Sequence, residues 1–333
     1  MDPVSRAGGV AVGVPLLAAV VVAMALGLIA APGAGALVTA LLLAMATGWI
    51  DDLHPIGPAA KFAGQCLAAA ALAVAVAEPA WVGGAESTVI LVVGLALWSQ
   101  NAWNFVDGSD GLMATAGIAV FTAGAGLSLA GGGDPLLVGL AAATAVALAG
   151  FLPWNLPRAR LFLGDSGSLL IGAAYASCTV LGFANESWLG WAWIALAAPI
   201  HADVLVCLLR RLIRGCRWWE GHREHAYQQV VHRSGAHATA IRIGALLWCA
   251  IALPASVAAI WWGWPVAVAA LALCGMATYH LGSGTAVIEV SEPSAERVIA
   301  TASSEPLEQP SVPELPIPHS VGAVSRPPAR LVE

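Results

Sequence analysis

Ten apolar stretches of roughly 17–22 residues, each close to the length needed to cross hydrocarbon, dominate this sequence. They fall at about 10–31, 34–50, 60–77, 88–104, 111–130, 135–153, 167–183, 188–206, 242–260 and 264–282. With 59% hydrophobic and only 10% charged residues, the chain cannot supply the polar surface of a soluble domain of this length. Inside a bilayer each segment must satisfy its own backbone, which leaves the helix as the answer for spans of this length. The expected fold is therefore all-α, a polytopic membrane protein with about ten transmembrane helices. The first stretch has no small-residue cleavage site and reads as an anchor. Residues 1–283 form one expected membrane domain. From 284 the composition turns to Ser, Pro, Glu and Val, which predicts a disordered cytoplasmic tail over 284–333.

Lys and Arg set the orientation. With the N-terminus inside, Arg6, Arg158, Arg160, the arginines of the 207–241 loop and those after 283 all lie inside, and Lys61 and Arg242 sit at inner helix ends. The opposite loops, near 32, 78–87, 131–134, 184–187 and 261–264, carry neither residue, as positive-inside topology requires. The expected location is the inner (plasma) membrane, with polar loops facing the cytoplasm. The net charge of −6 then says little about partners, and no nucleic-acid ligand is expected. Cys66, Cys178, Cys207, Cys216, Cys249 and Cys274 show no paired metal spacing and are expected to be free thiols.

Against this background five aspartates stand out, because a carboxylate near hydrocarbon is costly. Asp51 and Asp52 are adjacent, so their repulsion raises the pKa of one unless a cation holds both charged. Lys61 follows at a helix start. The turn Asn101-Ala-Trp-Asn104-Phe-Val-Asp107-Gly-Ser-Asp110-Gly111 gathers two amides and two acids, and Asn104 and Asp107 share a face if the helix reaches that far. The segment Asn155-Leu-Pro-Arg-Ala-Arg-Leu-Phe162-Leu-Gly-Asp165-Ser-Gly-Ser168 leads into a helix start, with Asp165 or Ser166 expected near the N-cap. The topology places all five acids on the cytoplasmic face, where they could hold a divalent cation. The loop His222-Arg223-Glu224-His225-Ala226-Tyr227-Gln228 adds donors for phosphate oxygens. A zinc site is not expected there, since the loop has neither HExxH nor cysteine ligand spacing.

This ordered set resembles the polyprenyl-phosphate N-acetylhexosamine-1-phosphate transferases, over about residues 2–282. The 223–228 loop resembles the branch that starts O-antigen-type polysaccharides. The resemblance implies an enzyme that joins undecaprenyl phosphate to a UDP-N-acetylhexosamine, giving undecaprenyl-diphospho-sugar and UMP. It implies Mg²⁺ as cofactor, with Mn²⁺ as a substitute. It implies Asp51, Asp52 and His225 as catalytic residues, and Asp165, Asp107 and Asn104 as metal ligands or their near neighbours. Lys61 and Arg223 would meet phosphates, Asp110 the nucleotide end, and Asn155 and Phe162 the uracil. A homo-oligomer is compatible with such a fold.

Three features depart from the family pattern. A His-x-His-His cluster is reduced here to His225-Ala226-Tyr227-Gln228. A lysine that some relatives carry after the acidic pair is replaced by the stretch holding His54 and Pro55. Val4 to Gly9 match a segment that in relatives follows a first transmembrane helix, which this sequence does not carry. Two other classes also gather acids at a membrane face. An ion-coupled transporter would place polar breaks near the midplane, and these spans are almost free of them. A CDP-alcohol phosphotransferase would need an arginine soon after Asp-Gly and two further spaced aspartates, absent from Asp110-Gly-Leu-Met-Ala-Thr115.

Overall fold

A computed structural model of the chain describes residues 5–28, 33–75, 85–217 and 222–282. The expected tail over 284–333 lies outside the described residues. The rest is all-helical: α1 (Gly8–Ala25), α2 (Ala34–Leu53), α3 (Pro58–Ala75), α4 (Ala85–Val106), α5 (Leu112–Ala130), α6 (Pro135–Asn155), α7 (Gly164–Asn185), α8 (Ser187–Leu196), α9 (Ala198–Ile213), α10 (Ala226–Ser234), α11 (His237–Leu247), α12 (Leu253–Trp262) and α13 (Trp264–Gly282). Among the described residues nine helical stretches are long and apolar enough to cross a membrane, and ten if α8 and α9 together form one bent span. These correspond one for one to the ten stretches read from the sequence. The chain is a multi-pass membrane protein.

Two spans are irregular, and a proline accounts for each. α8 and α9 meet at a 65° bend. Pro199, at the start of α9, has no N–H to continue the ladder from α8. Between α11 and α12 the backbone widens into a π-helical turn, Trp248–Ala252, immediately before Pro254 at the start of α12. The missing donor of Pro254 gives the same local cause.

α7 is the central element, packed against α1, α2, α4, α6 and α8. Its middle is buried on every side, including Leu169, Ile171, Ala174, Tyr175, Ala176 and Cys178. Small residues permit this. A Cβ at Gly172 would lie 2.6 Å from the Cα of Gln100 on α4, so only glycine lets the two backbones approach so closely. Val14, Val21, Leu42, Val74, Ile90 and Val146, on other helices, point outward into what would be lipid. The burial of α7 matters for function because its N-terminus carries Asp165, and its neighbour α2 and the turn after its neighbour α4 carry the other acids.

Candidate active site

Four helices bring one polar group each to a single point. Lys61, at the start of α3, donates to Asp51 at the end of α2 at 3.2 Å and also pairs with Asp165 in the first turn of α7. Asn104, near the end of α4, donates from Nδ2 to Asp165 Oδ1 at 3.0 Å and to Ser168 Oγ at 2.8 Å. Asp51 also accepts from the backbone N–H of Ile56 at 2.8 Å, which fixes its rotamer across the α2–α3 turn. One turn deeper, Gln65 and Asn101 exchange side-chain hydrogen bonds at 3.0 and 3.3 Å and tie α3 to α4. The side chains of Lys61, Asp51 and Asp165 remain 17–26% exposed, so the cluster is reachable from outside.

Asp52 does something the sequence did not indicate. Its two carboxylate oxygens accept from the backbone N–H groups of Asp165 at 3.0 Å and Ser166 at 2.9 Å. The cap of α7 therefore comes from α2. Asp165 and Ser166 do lie near the N-cap, as expected, in the first turn of a helix that begins at Gly164 after Leu163; what the sequence did not show is that no side chain of that segment caps it. Gly164 has φ of +72°, and a Cβ there would lie 2.6 Å from Asp52 Oδ2. Glycine is thus required both for the left-handed backbone and for the space that Asp52 fills.

Asp107 lies in the α4–α5 turn, mostly enclosed. Burial, and then the nearby charges of Asp165 and Asp52, hold its carboxyl well above the usual carboxylate range. Asp110 accepts from the backbone N–H of Ala159 at 3.1 Å, and its own N–H donates to His237 Nδ1 at 3.1 Å. Asn155 is buried; its Oδ1 accepts from Gly111 N at 2.9 Å and its Nδ2 donates to Leu161 O at 3.0 Å. Asp110 and Asn155 thus hold the segment before α7 against the α4–α5 turn. That segment presents Phe162, whose ring is 40% exposed while its backbone is fixed by Ser5 O at 2.9 Å and Gly8 N at 3.0 Å.

The segment from 222 is anchored by Asp203 of α9, which accepts from the N–H groups of Ala226 at 2.7 Å and Tyr227 at 3.4 Å. Tyr227 donates from its hydroxyl to Phe105 O at 2.9 Å, locking α10 to the end of α4. Arg211 and Arg214 both pair with Glu224. These guanidinium groups hold the Glu224 carboxyl below its usual range, against the opposing effect of burial. Arg223 is exposed. His225 is buried, its ring packed on Phe105, His222 and Tyr227 rather than hydrogen-bonded into the acid cluster. Against the expectation from spacing, Cys207 of α9 lies beside these histidines, its Sγ 3.8 Å from His222 Nδ1. Sequence reading also missed Asp203, Ser168 and His237, whose roles depend on partners far along the chain.

The site residues from Asp51 to Ser168 fall within the stretch 34–183, which matches the profile of glycosyl transferase family 4. Among similar proteins is a decaprenyl-phosphate N-acetylglucosaminephosphotransferase of Mycobacterium tuberculosis, 32% identical over 289 residues, covering 75% of this chain and 71% of that protein. An undecaprenyl-phosphate alpha-N-acetylglucosaminyl 1-phosphate transferase of Thermotoga maritima is 34% identical over 166 residues, 50% of this chain and 51% of its own. A phospho-N-acetylmuramoyl-pentapeptide-transferase of a Synechococcus strain is 38% identical over 175 residues, 43% of this chain and 45% of its own. Similarity that extends over three quarters of the sequence, with the converging acids inside the matched stretch, means that the chain belongs to glycosyl transferase family 4.

Proposed function

We propose that this chain transfers N-acetylglucosamine-1-phosphate, or a close N-acetylhexosamine analogue, from a UDP-sugar to a polyprenyl phosphate such as undecaprenyl or decaprenyl phosphate. The products are polyprenyl-diphospho-sugar and UMP. The observation that carries this reading is the convergence of Asp51, Lys61, Asn104 and Asp165 from four helices at one end of the bundle. At that depth a water-soluble nucleotide can meet a phosphate anchored in the bilayer. The arginine distribution supports a cytoplasmic-facing site in the plasma membrane. The 223–228 loop favours an O-antigen-type pathway, whereas the mycobacterial relatives are named for decaprenyl phosphate.

The residues present fit Mg²⁺. Asp165 and Asp107 offer hard oxygen donors, and Asn104 adds an amide oxygen if its side chain turns over. The burial and then the neighbouring charges of Asp165 and Asp52 that raise Asp107 are costs a cation would offset. Bound Mg²⁺ would supply charge neutralisation on the diphosphate. The chain does the remaining work. Lys61 sits between Asp51 and Asp165, placed to contact phosphate oxygens on either side. Asp51, partly exposed beside Lys61, is the member of the acidic pair available to position or deprotonate the lipid phosphate. Asp52 is committed to two backbone amides and acts by fixing Asp165. Phe162 offers a face for the uracil, and Asn155 and Asp110 hold the segment that presents it. Arg223 is exposed on the segment that packs against the end of α4 and could meet phosphate oxygens, while buried His225 holds that segment in place through its contact with Phe105. A phosphate oxygen of the lipid attacks the sugar-linked phosphorus in line; the bond to the bridging oxygen breaks, and UMP departs with that oxygen.

Purified protein with undecaprenyl or decaprenyl phosphate, Mg²⁺ and a panel of UDP-N-acetylhexosamines should release UMP with at least one sugar. No release from any donor by a monodisperse preparation sinks the reading. A phosphorylated enzyme trapped with UDP-sugar and no acceptor would replace direct attack by a two-step route.

A further inference from the structure

Outside the acid cluster, a second group of ligand-type side chains lies where α9 meets the segment preceding α10. Cys207 is 3% exposed and His225 1%, while His222 is half-buried. One potential ligand atom from each lies within 4.8 Å of the others. His222 Nε2 and at least one ring nitrogen of His225 are buried without a hydrogen-bond partner among the described residues, while the His225 side chain also faces the backbone N–H of Gln228 in a capping box. A buried polar group left unsatisfied is costly, so two histidines oriented this way ask for a ligand.

We propose that Cys207, His222 and His225 form a site for a thiophilic divalent metal of the Zn²⁺ class, which fastens the segment carrying Arg223 and Glu224 to α9. Thiolate and imidazole select zinc-like ions, whereas Mg²⁺ takes oxygen donors, so the two metal sites differ in chemistry as well as place. Tetrahedral zinc, with bonds of about 2.3 Å to sulfur and 2.0 Å to nitrogen, sets S and N about 3.5 Å apart. The 3.8 Å between Cys207 Sγ and His222 Nδ1 is close to that value. Binding would deprotonate Cys207 and release that proton to solvent, leaving a Zn–S bond and a fourth position for water. Glu224 and Asp203 lie close enough to offset the positive charges of Arg211 and Arg214 around the ion. The proposal does not depend on which sugar or lipid the enzyme uses.

The full-length protein, stripped with a chelator, should take up one Co²⁺ with a thiolate-to-cobalt charge-transfer band. Zn²⁺ should displace it, and excess Mg²⁺ should not. Cys207→Ser should abolish the band, Cys216→Ser should keep it, and His222→Ala should weaken Co²⁺ affinity about tenfold or more. Cobalt bound without a thiolate band, or a band that survives Cys207→Ser, overturns the proposal. If gel filtration shows Cys207→Ser misfolded, His222→Ala decides: unchanged affinity and spectrum reject the site.

Discussion

Asp52 at the end of α2 closes the first turn of α7, accepting from the N–H of Asp165 at 3.0 Å and of Ser166 at 2.9 Å. A helix N-terminus is a natural anion site, and here the protein's own carboxylate fills it. Phosphate binding must therefore fall to Lys61 and to a cation held by the acids, not to the α7 amides. The same bond sets where the Asp165 side chain points, since Asp165 is the residue being capped.

The two adjacent aspartates should consequently separate in experiment. Asp52→Ala removes two charge-assisted hydrogen bonds and leaves buried amides open, a loss of about 1.5–3 kcal/mol, and should lower both the melting temperature and UMP release. Asp51→Asn keeps an acceptor for the Ile56 N–H and should lower UMP release with a smaller thermal shift. Equal melting temperatures for the two variants would remove Asp52 from the capping role.

Asp107 gives a pH-dependent test. Its carboxyl is raised above the ordinary 3.8 in the fold, so its contribution to stability is complete below that value and is lost as pH rises through the folded value. At neutral pH without a divalent cation, Asp107 is a liability, because the unfolded carboxyl ionises more readily than the folded one. Asp107→Asn, assayed in a chelator, should melt higher than the wild type at pH 7, by on the order of 2 °C for each kcal/mol recovered, and the gain should vanish towards pH 4. Activity should fall on the order of 100-fold, as when one electrostatic stabiliser is lost. A variant no more stable than wild type at pH 7 would show that Asp107 is not repelled by Asp165 and Asp52.

Much of this arrangement was legible along the chain, for physical reasons. Span positions follow from apolar length, and the convergence of Asp51, Lys61, Asn104 and Asp165 follows from alternating helix direction once the arginines fix the inner ends. What escaped was pairing between distant segments. Asp52 capping α7 spans 113 residues, and Asp203 capping α10 spans 23. In sequence Asp52 reads as half of an acidic pair and Asp203 as an acid in an apolar run, and nothing ties either to a distant helix start. Cys207 and His222 are 15 residues apart, on a helix and a loop, a spacing no compact ligand motif encodes. The 65° bend at Pro199 was visible only as a proline inside an apolar run. Asn155 was expected, from the resemblance, as a uracil contact, and sequence could not show that its amide is occupied at both ends by backbone.

Lys61 neutralises two carboxylates from different helices. Replacing it by methionine keeps the stem and removes the charge, leaving Asp51 and Asp165 facing each other unpaired. Because these side chains are partly exposed, the loss should be about 1–3 kcal/mol, below that of a fully buried pair. In chelator the variant should melt below wild type, and added Mg²⁺ should recover more stability in it than in wild type, since the ion then meets uncompensated charge. Differential scanning fluorimetry with and without Mg²⁺ measures both. An equal Mg²⁺ effect in the two proteins would argue against cation binding at Asp165, beside Lys61.

Phe162 and Asn155 should fail in different ways. The Phe162 ring is 40% exposed and its backbone is held independently, so Phe162→Ala should leave the melting temperature nearly unchanged. Losing a face that stacks on a base costs about 1–3 kcal/mol, which predicts a rise in KM for the UDP-sugar of about 5- to 150-fold, with KM for the polyprenyl phosphate unaffected. Asn155 touches Gly111 and Leu161 through both ends of its amide. Asn155→Ala should lower the melting temperature by breaking both bonds, and should raise the same KM through displacement of the segment that carries Phe162. Combining the two substitutions tests the dependence. If Asn155 acts by presenting Phe162, the double variant should show no larger KM for the UDP-sugar than Phe162→Ala alone. Additive effects on KM would instead assign Asn155 a nucleotide contact of its own, made after its backbone bonds are released.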